Sequence, residues 1–195
     1  MATTAAPYGF QPISHTSGMP RPERMPFGIA SGTANNIFKF QPITLSAGLI
    51  VPVTASNQKI FGIFAGVEYT PSGGRPAVSP YWPTGQTYNA NEDMNVYFWP
   101  AWDPNLRFLC QADGSVAQAS MGKQFNISAF TAGNTTTGLS AASVSATPVS
   151  TSSQGQFFLH EFGTLVQDQY GGGDAYTDLI VGIAYPQETG FQTGI

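Results

Sequence analysis

The sequence predicts an all-β fold: a single β-barrel or β-sandwich domain led by an extended, proline-rich arm. Three observations carry this. From about residue 35 onward, short runs of β-branched and aromatic residues are punctuated by Gly, Pro and Asn, and no stretch keeps a 3.6-residue apolar period over three turns. The chain holds 22 glycines and 15 prolines, residues that end strands and break helices. Only 9% of its residues are charged, against about 25% in ordinary soluble domains, while 42% are hydrophobic and 13% aromatic. That is enough apolar material for a core.

Residues 1–27 carry Pro7, Pro12, Pro20, Pro22 and Pro26. Each fixes its own φ and biases the preceding residue away from the helical region, so an extended arm is expected. At ~3.1 Å per residue, twenty such residues span roughly 60 Å. Tyr8, Phe10, Ile13 and Phe27 offer apolar anchors, and Arg21 and Arg24 offer charge. Two dispositions are open: the arm reaches a neighbouring subunit, or it folds back over its own domain.

The all-β domain is expected over residues 28–185, with strands at 37–40, 49–54, 60–69, 95–99, 106–111, 124–130, 156–162 and 179–185. In the last of these, Leu179, Val181, Ile183 and Tyr185 share one face and Ile180, Gly182 and Ala184 the other. Both faces are apolar, which predicts a strand covered on two sides. Ser72-Gly-Gly and Asp113-Gly-Ser read as turns. Residues 131–154 are mostly Thr, Ser, Ala and Gly and read as a loop or a weak edge hairpin, burying too little to order itself unaided. Residues 186–195 form a C-terminal tail.

The chemistry-bearing residues are few. A net charge of −4, from 7 basic and 11 acidic residues, supplies no basic stripe, so no direct nucleic-acid contact is expected. Cys110 is the only cysteine, which excludes an internal disulfide; it falls in phase with Leu106 and Phe108 and reads as a small core residue. Pro42, Pro52 and frequent polar residues interrupt every uncharged stretch, so no membrane span is expected. The first residues lack the basic and apolar regions of a secretory signal, so synthesis in a cytoplasm is expected.

His15 lies in the arm. His160 follows Phe157-Phe-Leu and reads as a partly buried histidine at a strand end, because no Gly-x-Ser-x-Gly elbow or His-Glu-x-x-His accompanies it. Asp168, Asp174 and Asp178 surround a run of three glycines. Their spacing is not that of a calcium loop, and a turn with solvated carboxylates is the better reading. The same glycines lack the Lys-Ser/Thr of a phosphate-binding loop. The adjacent Glu92 and Asp93 point to opposite sides of an extended chain. No catalytic residue, cofactor, metal or small-molecule substrate is expected.

Trp82, Trp99 and Trp102, with Tyr81, Tyr88, Tyr97 and Phe98, form the densest aromatic zone. Such a zone can stack on sugar rings, or it can pack a core and contact another subunit. Its neighbours are mainly Pro, Thr and Asn, which favours the second reading. Interface cores are depleted of charge and enriched in aromatics, so the low charge points to a surface occupied by neighbouring subunits.

Five segments, Ala30-Ser-Gly-Thr-Ala-Asn-Asn-Ile-Phe, Gly62-Ile-Phe-Ala-Gly-Val-Glu-Tyr, Tyr81-Trp, Gln111-Ala-Asp-Gly-Ser and Gly173-Asp-Ala-Tyr-Thr, occur in an order that resembles the head decoration (cement) proteins of tailed bacteriophages. The likeness runs from about Tyr8 to Ala184. It implies an all-β unit on the outer surface of an icosahedral capsid, commonly a homotrimer. Its partner would be the major capsid protein, and it would bridge neighbouring capsomers. No catalytic residues come with it. Compact members of that family are shorter, so the arm, the Thr/Ser segment and the tail exceed a minimal barrel. On this reading the partner contacts are expected from Tyr8, Phe10, Arg21 and Arg24 in the arm, Tyr81, Trp82 and Trp102 in the aromatic zone, and Phe191 in the tail. The alternatives are another virion structural subunit, such as a jelly-roll capsid or tail component, and a carbohydrate-binding adhesin.

Overall fold

A computed structural model describes residues 4–150, 152–163 and 175–187. Its strands are β1 (Gln11–Ser14), β2 (Glu23–Pro26), β3 (Pro42–Ser46), β4 (Leu49–Pro52), β5 (Gly62–Tyr69), β6 (Ala77–Ser79), β7 (Asn95–Pro100), β8 (Arg107–Gln111), β9 (Gln124–Phe125), β10 (Gly133–Asn134), β11 (Leu139–Ser140), β12 (Phe157–Phe162) and β13 (Asp178–Ile183). The first sheet runs β1-β8-β13-β12-β9 and the second β2-β7-β5-β3-β4, with β6 also on β5. Every pairing is antiparallel. Among the described residues each sheet keeps its edges, so the expected all-β fold takes the form of a sandwich.

Two apolar clusters fill it. Between the sheets lie Phe108, Cys110, Phe157, Leu159, Leu179 and Val181 from the first sheet, facing Ile63 and Trp99 from the second. On the other face of the second sheet, Ile43, Ile50, Phe64, Val67, Val96 and Phe98 pack beneath Ile29, Ile37 and Trp82 from connecting segments. The central strands of the second sheet, β5 and β7, are therefore largely buried on both faces. The expectation of double burial was attached to the last strand, where Leu179, Ile180 and Val181 are all buried. It applies most fully to β5, whose residues serve both clusters.

That double duty needs a break in register. Strict alternation along β5 would carry Phe64 and Val67 to opposite faces, yet both belong to the outer cluster. Pairing with β7 slips between Phe64 and Gly66, and Gly66 takes φ +150, a conformation open to glycine. A second slip in β12, between Leu159 and Glu161, turns Phe162 inward and leaves Glu161 exposed. Without it, alternation from Phe157 and Leu159 would drive a carboxylate into the core.

Between Thr131 and Gln154, where a loop or a weak edge hairpin was expected, β10 and β11 pair as a separate two-stranded hairpin. The segment that follows it is less idle than its composition suggests: Ala142 and Val144 are fully buried, and Val144 bridges both Ala112 and Ile127. Residues 37–40, expected as a strand, make only isolated bridges, at Ile37 to Trp82 and Lys39 to Leu139. Phe40 takes φ +69, which breaks the extended run there.

The N-terminal segment lies along its own domain in this structure. β1 pairs with β8 and β2 with β7, so the segment supplies an edge strand to each sheet. Phe10 is a correction: expected at a partner surface, it is fully buried and stacks on Phe157 with centroids 4.2 Å apart. Gly9, at φ +76, lets the backbone close to Phe40 and Ser140, and the Phe10 N–H donates to the Phe40 carbonyl at 2.9 Å.

Phe10→Ala should cost about 3–5 kcal/mol of folding stability in denaturant melts. The β3–β4 hairpin turns through Ala47 (φ 50) and Gly48 (φ 78), the geometry for which Asn-Gly is the favoured pair. Ala47→Asn should stabilise by about 0.5–1 kcal/mol, read as a rise in the same midpoint.

Candidate interaction surface

The bulge in β5 also shapes the surface. At the slip in β5 the small residues Ala65 and Gly66 line a shallow groove of about 460 Å³. Pro22, Val78, Pro80, Tyr97 and Trp99 line it, with Lys39 alongside. Val78 is 80% exposed, on the short strand β6 between Pro76 and Pro80. Arg24 is the register partner of Tyr97 across β2 and β7. The Tyr97 hydroxyl donates to Glu68 Oε2 at 3.0 Å, and this bond, with burial and the carboxylate's charge, holds the phenol above its usual range against the opposing pull of Arg24. The surface is a mostly apolar strip with a few charges at its margin.

The expected partner residues divide. Arg21 and Arg24 are exposed. Tyr8 is half-buried, and its hydroxyl donates to Asp178 Oδ1 at 3.0 Å. Tyr81 is half-buried and stacks on Phe38 at 5.8 Å. Trp102 is half-buried against Phe61 and Phe98, with centroids at 5.3 and 5.9 Å. Trp82, like Phe10, is a correction: it is fully buried in the outer cluster, edge-on to Tyr69 at 4.9 Å, and cannot meet a partner. Phe191 lies outside the described residues, as do Asp168 and Asp174. Trp99 is 8% exposed, so the aromatic zone does not present a row of open indole faces for sugar rings.

The groove was not legible in the sequence. Its lining comes from separate segments: Pro22 before β2, Ala65 and Gly66 in β5, Val78 and Pro80 at β6, and Tyr97 and Trp99 in β7.

Beside β2 a second recess, of about 410 Å³, holds His15, Ser17, Arg21 and Asp103. The Ser17 N–H donates to His15 Nδ1 at 3.0 Å, Ser17 Oγ lies 2.6 Å from the same nitrogen, and His15 Nε2 lies 2.9 Å from Asp103 Oδ2. Nδ1 therefore accepts and the Nε2–H donates to the carboxylate. The trio has the residue types of a hydrolytic triad, with the ring nitrogens exchanged. The Ser17 N–H is engaged by the ring, and the Gly18 N–H donates to the His15 carbonyl at 3.0 Å. What the trio does is clasp the turn between β1 and β2 to the β7–β8 connection.

A third recess, of about 430 Å³, is acidic, with Glu68, Glu92 and Asp93. Among the described residues no group of three His, Cys, Asp or Glu side chains is placed to hold a metal ion. No described helix is long and apolar enough to cross a membrane. Cys110 is fully buried, and desolvation, reinforced by the charge of Asp178, pushes its thiol well above the ordinary range.

No protein-family model matches this chain, and no curated protein or solved structure is significantly similar to it.

His160 stands at the bulge of β12, 4.9 Å from the Phe158 ring. Burial, then the charge of Arg107, lowers its pKa, with Glu161 opposing. The folded state thus binds this proton less readily than the unfolded chain. Its contribution to stability is whole above the unfolded value of about 6.5 and declines as pH falls through it toward the lower folded value. His160→Gln should lose less stability than the parent between about pH 7.5 and about pH 5, measured by denaturant melts at each pH.

Proposed function

We propose that this chain is a structural virion protein that decorates the icosahedral capsid of a tailed phage, bridging neighbouring capsomers on the outer surface. The observation that carries the reading is the ordered set of segments resembling head decoration proteins. The exposed apolar groove gives it a place to act. Val78, Pro22 and Pro80 supply uncharged contact area, and Arg21 and Arg24 stand exposed nearby.

The role is mechanical. Packaged DNA presses outward, and a bridging protein adds contacts that must break before the shell opens. One groove of this size buries far less than the roughly 800 Å² per partner of a stable interface. Tight holding therefore requires several such contacts acting together, as a homotrimer would provide, so that modest individual affinities multiply. The partner is the major capsid protein. Marginal arginines act in such a contact mainly on encounter rate and salt dependence.

The test uses expanded heads lacking this protein. Added protein should saturate at a copy number equal to the shell lattice and raise the temperature at which heads release their DNA. Arg21→Glu combined with Arg24→Glu should lower occupancy several-fold, most at low salt. Failure to be retained on heads at any concentration defeats the proposal, and binding of a few dozen copies at one vertex assigns the chain to the tail. Point substitutions are preferable to deleting the arm, because deletion also removes Phe10 from the core.

A further inference from the structure

Among the described residues β1 is the outermost strand of the first sheet, bonded to β8 alone. Residues 4–14 hold on through that ladder, through Phe10 in its seat beside Phe157 with its N–H on the Phe40 carbonyl, through the Tyr8 hydroxyl on Asp178, and through the Ala6 N–H donated to Gln111 Oε1 at 2.8 Å. A second copy of the chain offers the same ladder, seat and acceptors. We infer that this segment exchanges between copies, so that β1 and Phe10 of one copy complete the first sheet and core of the next.

The tether at residues 16–22 is built for it. Met19 is 84% exposed, and no atom lies within 4 Å of where a side chain would sit at Gly18, which takes φ +121. The closed form makes its tight turn at residues 15–18, and Pro20 and Pro22 hold the rest of the tether extended, already along the path that passing to another copy would need. The hinge that must open is thus a single short turn. Stretched, these seven residues reach about 25 Å, enough to pass to an adjacent copy. The turn is kept shut by the Gly18 N–H to the His15 carbonyl and by the clasp to Asp103. Simple release is disfavoured, because it would empty the Phe10 seat and open the core to water. A departing segment must be replaced by an arriving one.

The inference needs only copies of this chain, so it stands or falls apart from the shell reading. Gln11 and Leu109 are register partners across β1 and β8. In a Cys110→Ala background, one protein carries Gln11→Cys and another Leu109→Cys. After mixing, gentle warming and oxidation, a disulfide between them forms in register only where one copy's segment lies in the other. The double variant Gln11→Cys with Leu109→Cys should close internally when dilute, proving the geometry. Gln11→Cys mixed with Thr54→Cys measures chance collision. Cross-linked heterodimer should exceed that background and, while still sparse, rise about tenfold in fraction for each tenfold in concentration. His15→Ala or Asp103→Asn should raise it several-fold by loosening the clasp. Heterodimer no greater than the collision background at every concentration, with the double variant closing normally, overturns the exchange. Unchanged yield in the clasp variants overturns the turn as its hinge.

Discussion

Burial of the central strands of the second sheet on both faces is the constraint from which most of this structure follows. A strand buried on both faces has no polar side to alternate, so β5 and β7 carry aromatic and aliphatic residues almost without interruption. The outer cluster must then be roofed by connecting segments, which is why Ile29, Ile37 and Trp82 sit in loops and are fully buried. The bulge at Gly66 lets one strand feed both clusters, and the same bulge leaves the trough that becomes the groove. Much of the uncharged, aromatic-rich composition is thus accounted for by the chain covering itself.

With few ions available, neutral amides brace the loops. Gln156 accepts from the Ile127 N–H at 3.1 Å and donates to the carbonyls of Ala55 and Gln58. Gln41 accepts from the Phe38 N–H and donates to the Phe130 carbonyl. Gln187 accepts from Thr44 Oγ1 and the Leu45 N–H and returns a bond to the Leu45 carbonyl. Each ties together segments distant in sequence or closes a strand end without the desolvation cost of a buried charge. The outer strands are guarded in a similar spirit. Pro12 lies in β1, Pro26 in β2 and Pro52 in β4, removing donors where another chain would pair.

Strands β4, β5, β7, β8, β12 and β13 were legible because runs of β-branched and aromatic residues carry their own signal. β1, β2 and β3 were not, since prolines announce extended backbone without saying what it pairs with. The register slips were also hidden: a glycine or histidine in mid-strand becomes a bulge only when the neighbouring strand and the core demand it. Phe10 and Trp82 were misplaced for a deeper reason. Large aromatics are favoured in interiors and in interfaces by the same gain on leaving water, so their identity alone cannot assign them to one. The groove is lined from β5, β6, β7 and the approach to β2, which only the tertiary arrangement brings together.

The thiol of Cys110, walled in and without a second cysteine anywhere in the chain, leaves the fold with no cross-link to gain or lose. Its covalent connectivity is therefore indifferent to redox potential: a reductant has no disulfide to cleave, and an oxidant must first unfold the sandwich to reach the one thiol.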